Sequence, residues 1–116
     1  MIIEDDRLLR DMMSRKLERE GYEVFLVVDG SEAEGKIKEV RPDVILLDLI
    51  LPGVNGFDIL ETIKKDDDLK DIPVIVLSNL GQKSEVERGI ELGAADYLVK
   101  AHFTPGEIVD KLKRLF

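Results

Sequence analysis

The stretch Val44-Ile45-Leu46-Leu47-Asp48-Leu49-Ile50-Leu51-Pro52-Gly53 decides the fold. Its opening apolar run carries no polar alternation, which is the pattern of a strand buried on both faces of a sheet. The run delivers a carboxylate, Asp48, at its end, and Pro52-Gly53 marks a turn soon afterwards. In an open parallel sheet, ligands bind in the crevice outside the carboxyl ends of the strands. A carboxylate where a buried strand surfaces is therefore placed for chemistry. Taken alone, Asp48 reads equally well as a strand-ending residue that caps the next turn.

Upstream, Arg41-Pro42 breaks a helix that carries Ala33, Ile37 and Val40. Asp29-Gly30-Ser31 turns the chain before it, and Ser31 with Glu34 matches a capping box. Tyr22–Val28 reads as the second strand and Met1-Ile2-Ile3 as a short first one, ending in Glu4-Asp5-Asp6. Between them Leu8, Leu9, Met12, Met13 and Leu17 follow helical spacing, with Asp5 or Asp6 to cap the start and Gly21 to end it.

Downstream, Asn55-Gly56 opens a third helix with Phe57, Leu60 and Ile63 inward. Asp66-Asp67-Asp68 is read as a solvated loop rather than a metal cluster. Pro73–Ser78 is the fourth strand, and Ser84 with Glu87 offers a capping box for a helix closed by Gly93. Asp96–Lys100 is the fifth strand. Thr104-Pro105-Gly106-Glu107 combines a capping box with proline at the first helical position, and the last helix buries Ile108, Val109, Leu112 and Leu115.

Strand and helix thus alternate five times. Parallel strands need right-handed crossover helices, so the pattern predicts an α/β fold, a five-stranded doubly wound parallel sheet with helices on both faces. The flavodoxin-like strand order 2-1-3-4-5 is expected.

The chain has 116 residues, the length of one domain, so residues 1–116 are expected to form a single unit. The composition, 44% hydrophobic and 36% charged, is that of a globular protein. No apolar run approaches the roughly 20 residues of a membrane helix, and the first residues show no secretion signal. There is no cysteine, hence no disulfide or thiolate site, which fits a cytoplasmic setting. The formal net charge of -8 and the lack of a lysine–arginine cluster argue against direct nucleic-acid contact.

The strand ends carry the functional argument. The first delivers Glu4 and Asp5, the third Asp48, the fourth Ser78 and the fifth Lys100. The expected order sets the first strand beside the third, so Asp5 and Asp48 converge. Converging carboxylates repel and raise one another's pKa unless a cation sits between them. A hard divalent ion answers that need. Mg²⁺ takes one or two carboxylates, keeps several waters and accepts phosphate oxygens. Lys100 and Ser78 add a positive charge and a hydroxyl that suit an arriving phosphoryl group.

These marks, with the Leu49-Ile50-Leu51-Pro52-Gly53 run after Asp48 and the Gly93-Ala94-Ala95-Asp96-Tyr97 run before Lys100, resemble the receiver domain of two-component response regulators over essentially the whole chain. The resemblance implies that Asp48 accepts a phosphoryl group from a phosphohistidine on a sensor histidine kinase or phosphotransfer protein. It implies that Asp5, Asp48 and the backbone carbonyl of Ile50 hold Mg²⁺, with Glu4 acting through a metal-bound water. Lys100 would pair with a phosphoryl oxygen, and Ser78 would hydrogen-bond another. That bond would draw in the following loop and let Tyr97 rotate into the core, changing a face over the fourth helix, fifth strand and fifth helix for an effector protein. The domain would assist its own phosphorylation and dephosphorylation without being an enzyme toward other substrates. With no output domain after Phe116, it would be a stand-alone regulator or a piece of a longer chain.

Two departures from the family pattern bear on the site. Ala101 follows Lys100 where the family usually has proline, and a cis bond without proline costs about 2.5–4 kcal/mol; the approach of Lys100 to the pocket is therefore the open point. Asn79 follows Ser78 where a small apolar residue is common. Leu80 and Ile50, each two places beyond a site residue, are apolar and expected to hinder a hydrolytic water. His102, the only histidine, is expected at the surface.

Rival classes fare worse. Ile50 replaces the second aspartate that a strand-end aspartyl phosphatase needs. A flavin carrier would need a Ser/Thr-rich phosphate loop after the first strand, and a nucleotide-binding P-loop its glycine-lysine motif; neither is present. The remaining alternative is a receiver-like binding module that works by protein contact without phosphorylation.

Overall fold

The structure is a computed structural model that describes residues 1–115; Phe116, the last residue of the expected unit, lies outside the described residues. Five parallel strands form one sheet: β1 (Ile2–Ile3), β2 (Leu26–Val27), β3 (Ile45–Leu47), β6 (Val74–Ser78) and β7 (Asp96–Val99). Their order is β2-β1-β3-β6-β7. The two strands left out, β4 (Ile50–Leu51) and β5 (Val54–Asn55), pair antiparallel in a hairpin around Pro52-Gly53. With that hairpin set aside, the order is the expected 2-1-3-4-5.

Side-chain alternation along the strands feeds two cores. Ile2, Leu46, Ile75, Leu77 and Leu98 point to the face covered by α1 (Arg7–Arg19) and α5 (Pro105–Leu115), where they meet Met13, Leu17, Ile108, Val109 and Leu112. Ile3, Ile45, Leu47, Val74, Val76 and Tyr97 point the other way. There they pack with side chains of α2 (Ala33–Val40), α3 (Gly56–Lys65) and α4 (Lys83–Glu91). Each fully buried aliphatic side chain contributes about 1.5–3 kcal/mol, so both faces of the central strands are held.

Several local expectations are corrected. The second strand, read as Tyr22–Val28, pairs only over Leu26–Val27, because its one neighbour, β1, offers a ladder two residues long. The last strand stops at Val99, and Lys100 enters a 3₁₀ turn over Lys100–His102. Ser31 and Glu34 form no capping box: Asp29 instead accepts from Ser31 N at 2.9 Å and starts a 3₁₀ turn, Gly30–Glu32, ahead of α2. Helix α4 begins at Lys83 with its cap at Gln82, two residues before the expected Ser84, and Gln82 N donates to Glu85 Oε1 at 3.1 Å. Leu8, Met12 and Leu115 are exposed, since each lies off the stripe its helix turns to the sheet.

Other end signals act as read. Asp6 caps α1 by accepting from Leu9 N at 3.2 Å, and Asn55 caps α3 by accepting from Phe57 N at 2.9 Å. Thr104 and Glu107 form their reciprocal box, with bonds of 3.0 and 3.1 Å. Asp66 caps its own loop through Asp68 N. No described helix is long and apolar enough to cross a membrane.

Candidate functional site

The parallel order carries the ends of β1, β3, β6 and β7 to one edge of the sheet, and with them the five side chains singled out there. Glu4 and Asp48 are buried, at 1% and 5% exposure, and Ser78 is fully buried, while Asp5 faces solvent. Glu4, Asp5 and Asp48 each bring a carboxylate oxygen within 4.8 Å of the others. The convergence expected from the strand order is therefore present.

Lys100 closes the cluster. Its Nζ donates to Asp48 Oδ2 at 3.0 Å and forms an ion pair with Glu4 Oε1. Asp48 Oδ1 accepts from Ile50 N at 3.2 Å, so both oxygens of this carboxylate are held. Every described peptide bond is trans, including Lys100–Ala101. Alanine at the position after Lys100 does not keep the ammonium from the site.

Electrostatics follow from this crowding. Burial, reinforced by the carboxyl of Asp48 and opposed by Lys100, pushes Glu4 up to about 7. Burial works against the Lys100 charge, but Glu4 and Asp48 outweigh it and lift the ammonium above its ordinary range. Three carboxylates against one neighbouring ammonium leave the cluster short of positive charge. Glu4 Oε1, though close to Lys100, accepts no well-aligned hydrogen bond, the one buried side-chain oxygen or nitrogen so left among the described residues. Hard oxygen donors in such excess over the positive charge facing them fit a divalent cation.

The rest of the edge forms a connected path. Ser78 Oγ accepts from Leu80 N at 3.2 Å. Leu80 O accepts from the phenol of Tyr97, whose ring is buried. Burial first, then the Glu85 carboxylate, raise that phenol above its usual range. Ile50 is 57% exposed, and it lines an open cleft with Leu49, Leu80, Phe57 and Arg88. Asn79 and Ala101 line a second groove with Lys100, toward α1. His102 is exposed, as expected.

Two contributors escape a reading of motifs. Arg10, in the first turns of α1, donates from Nη1 to the carbonyls of Glu4 and Asp5 at 3.1 and 3.3 Å. Gly56 lets α3 start directly against the Asp48 strand, since a Cβ there would lie 2.4 Å from Leu49 Cα and 2.5 Å from Asp48 O. The Asn-Gly pair signals the helix start; the close approach behind it has no sequence signature.

Comparison with known proteins bears on this site. The family model of the response regulator receiver domain matches residues 1–113. The chain belongs to that family. Among curated proteins, this receiver is 38% identical to the DNA-binding dual master transcriptional regulator RpaA of Synechocystis sp. over 99% of its own length and 46% of that protein. It spans about half the length of the curated relatives it matches. Among solved structures, it superposes on the chemotaxis response regulator CheY4 of Vibrio cholerae with a TM-score of 0.89 and 30% identity, covering 99% of this chain and 95% of that one. The Mn²⁺-bound form of response regulator Rcp1 gives a TM-score of 0.83 at 28% identity, over 93% and 84% of the two chains. The receiver is thus a signalling module of two-component systems, with an acidic cluster able to hold a metal.

Proposed function

We propose that this receiver is a phosphoacceptor switch, with Asp48 as the acceptor and Mg²⁺ as its cofactor. The observation that carries the reading is the Asp48 carboxylate itself. It sits at the strand edge, near Glu4 and Asp5, and is held by Lys100 Nζ at 3.0 Å and Ile50 N at 3.2 Å.

An Asp48 oxygen attacks the phosphorus of a phosphohistidine on a sensor histidine kinase or phosphotransfer protein. The P–N bond breaks, the imidazole leaves, and an acyl phosphate forms. Asp5, Asp48 and the Ile50 carbonyl would hold Mg²⁺, with Glu4 reaching it through a water. Bound there, the ion would supply charge neutralisation for the transferring oxygens. Lys100 then pairs with a phosphoryl oxygen, exchanging one anionic partner for another. Ser78 donates its hydroxyl to a second oxygen, which disturbs the path through Leu80 to Tyr97 and so the face of α4, β7 and α5 offered to an effector protein.

Residues 1–116 act as one receiver unit, in the cytoplasm. The unit assists its own phosphorylation and dephosphorylation and is not an enzyme toward other substrates. The acidic net charge of -8 supports protein partners over direct DNA contact.

Intact-mass measurement after incubation with acetyl phosphate tests this, with and without Mg²⁺, beside Asp48→Asn. One phosphoryl adduct that requires Mg²⁺ and vanishes in the variant is expected. No adduct from a donor active on a control receiver would favour a binding module that works without phosphorylation.

A further inference from the structure

We propose that Arg10 is a positioning residue that holds the turn between β1 and α1 in metal-binding geometry. The inference rests on the metal reading above and deepens it. That turn, residues 4–6, carries two of the three clustered acids, yet among the described residues its only backbone hydrogen bond to the sheet is Glu4 N donating to Val27 O at 3.1 Å. Apart from Asp6 N donating to Glu4 Oε2 within the turn at 3.4 Å, its other backbone anchors among the described residues come from Arg10. Arg10 N donates to Asp6 O at 2.9 Å as the helix begins, and the guanidinium folds back over the turn to the carbonyls of Glu4 and Asp5.

The choice of acceptors is informative. Arg10 has Glu4, Asp5, Asp6 and Asp11 close in sequence, but among the described residues it makes no ion pair within 4.0 Å; Arg7, one turn away, does pair, with Asp11. A guanidinium held on carbonyls leaves the Asp5 carboxylate free, and solvent-facing, for a cation. The planar guanidinium holds one nitrogen, Nη1, between the two carbonyls, an orientation that a flexible ammonium is not bound to keep. Coulomb repulsion opposes the arrangement, because a fixed positive charge beside a cation site weakens binding. Positioning and repulsion therefore predict opposite signs on removal of the side chain.

The test is Mg²⁺ titration by calorimetry on the unaltered chain, Arg10→Met and Arg10→Lys, with urea midpoints in EDTA measured in parallel. Partners that orient metal ligands are worth about 10–100-fold in affinity. We expect Arg10→Met to weaken Mg²⁺ binding by about that factor. Arg10→Lys, which keeps the charge but loses the planar, fixed donor, should also weaken it. A merely structural role would lower the midpoint in EDTA and leave the affinity of the folded fraction alone. Tighter or unchanged binding in Arg10→Met overturns the proposal, and if that variant does not fold, unchanged binding in Arg10→Lys does the same. Absence of Mg²⁺ binding to the unaltered chain overturns the metal reading itself, and this inference with it.

Discussion

Gly89 of α4 leaves the space that the ring of Tyr97 fills. A Cβ at position 89 would lie 2.8 Å from Tyr97 Cδ2 and 3.1 Å from Cε2. Glycine inside a helix costs about 1 kcal/mol relative to alanine, and here that cost is offset by seating an aromatic side chain whose hydroxyl reaches Leu80 O. The strand-end site and α4 are thereby in contact through one ring.

Gly89→Ala is expected to displace that ring. Helix propensity favours alanine by about 1 kcal/mol, while overpacking costs about 1–3 kcal/mol, so the urea midpoint should not rise. The chain has two tyrosines and no tryptophan. In a Tyr22→Phe background, tyrosine emission therefore comes from Tyr97 alone, and acrylamide should quench it more strongly once alanine is present. A raised midpoint with a protected Tyr97 would contradict the seat.

Gly56→Ala should be the more damaging change. Both obstructing groups, Leu49 Cα and Asp48 O, are backbone, so no rotamer can relieve the contact. The loss should reach or exceed the upper end of the about 1–3 kcal/mol usual for overpacking. It should also reduce phosphorylation in the folded fraction, because Asp48 has to move. Denaturant titration and the mass assay together check this.

Glu4 makes the metal-free protein sensitive to pH. Its folded pKa of about 7 lies above the ordinary 4.5, through burial first and Asp48 second. Between those values the folded state binds more protons than the unfolded one, so this group's contribution to stability falls as pH rises through the window. Above about pH 7 the contribution levels off. Urea midpoints in EDTA from pH 5 to 8, compared with Glu4→Gln, isolate the effect: the difference should favour the unaltered chain at the acid end. A difference that grows toward pH 8 would mean that Glu4 is held ionised.

Ile50 and Leu80 line one cleft, and the Ile50 amide holds Asp48. If these apolar side chains obstruct a hydrolytic water, Leu80→Glu should shorten the life of the phosphorylated form severalfold, since a carboxylate there can orient that water. Decay of the phosphorylated mass after donor removal measures it. An unchanged decay would sink the idea.

What could be read from the chain was what depends on neighbours within a few residues. The apolar run before Asp48, the alternation of strand and helix, the caps at Asp6, Asn55 and Thr104, and the acids at the strand ends all carry local signatures. Topology then follows from a handedness rule that holds for nearly all such crossovers, which is how Asp5 and Asp48 could be placed together. Even local signals slipped where two competed: Ser31 and Ser84 offered plausible boxes, but Asp29 holds the Ser31 amide, and Glu85, on the Gln82 amide, starts α4 ahead of Ser84.

Only the tertiary structure decided the contacts that join distant residues. Lys100 meets Asp48 across 52 positions and Tyr97 meets Leu80 across 17. Whether Arg10 reaches a carboxylate or a carbonyl depends on how the first turn of α1 sits over β1. The same dependence leaves Leu8 and Met12 exposed, because the sheet accepts one stripe of α1 and no more. Glycines 56 and 89 carry no local sign that anything approaches them. Each is set by where another element packs, and packing is a property of the assembled layers rather than of any one segment.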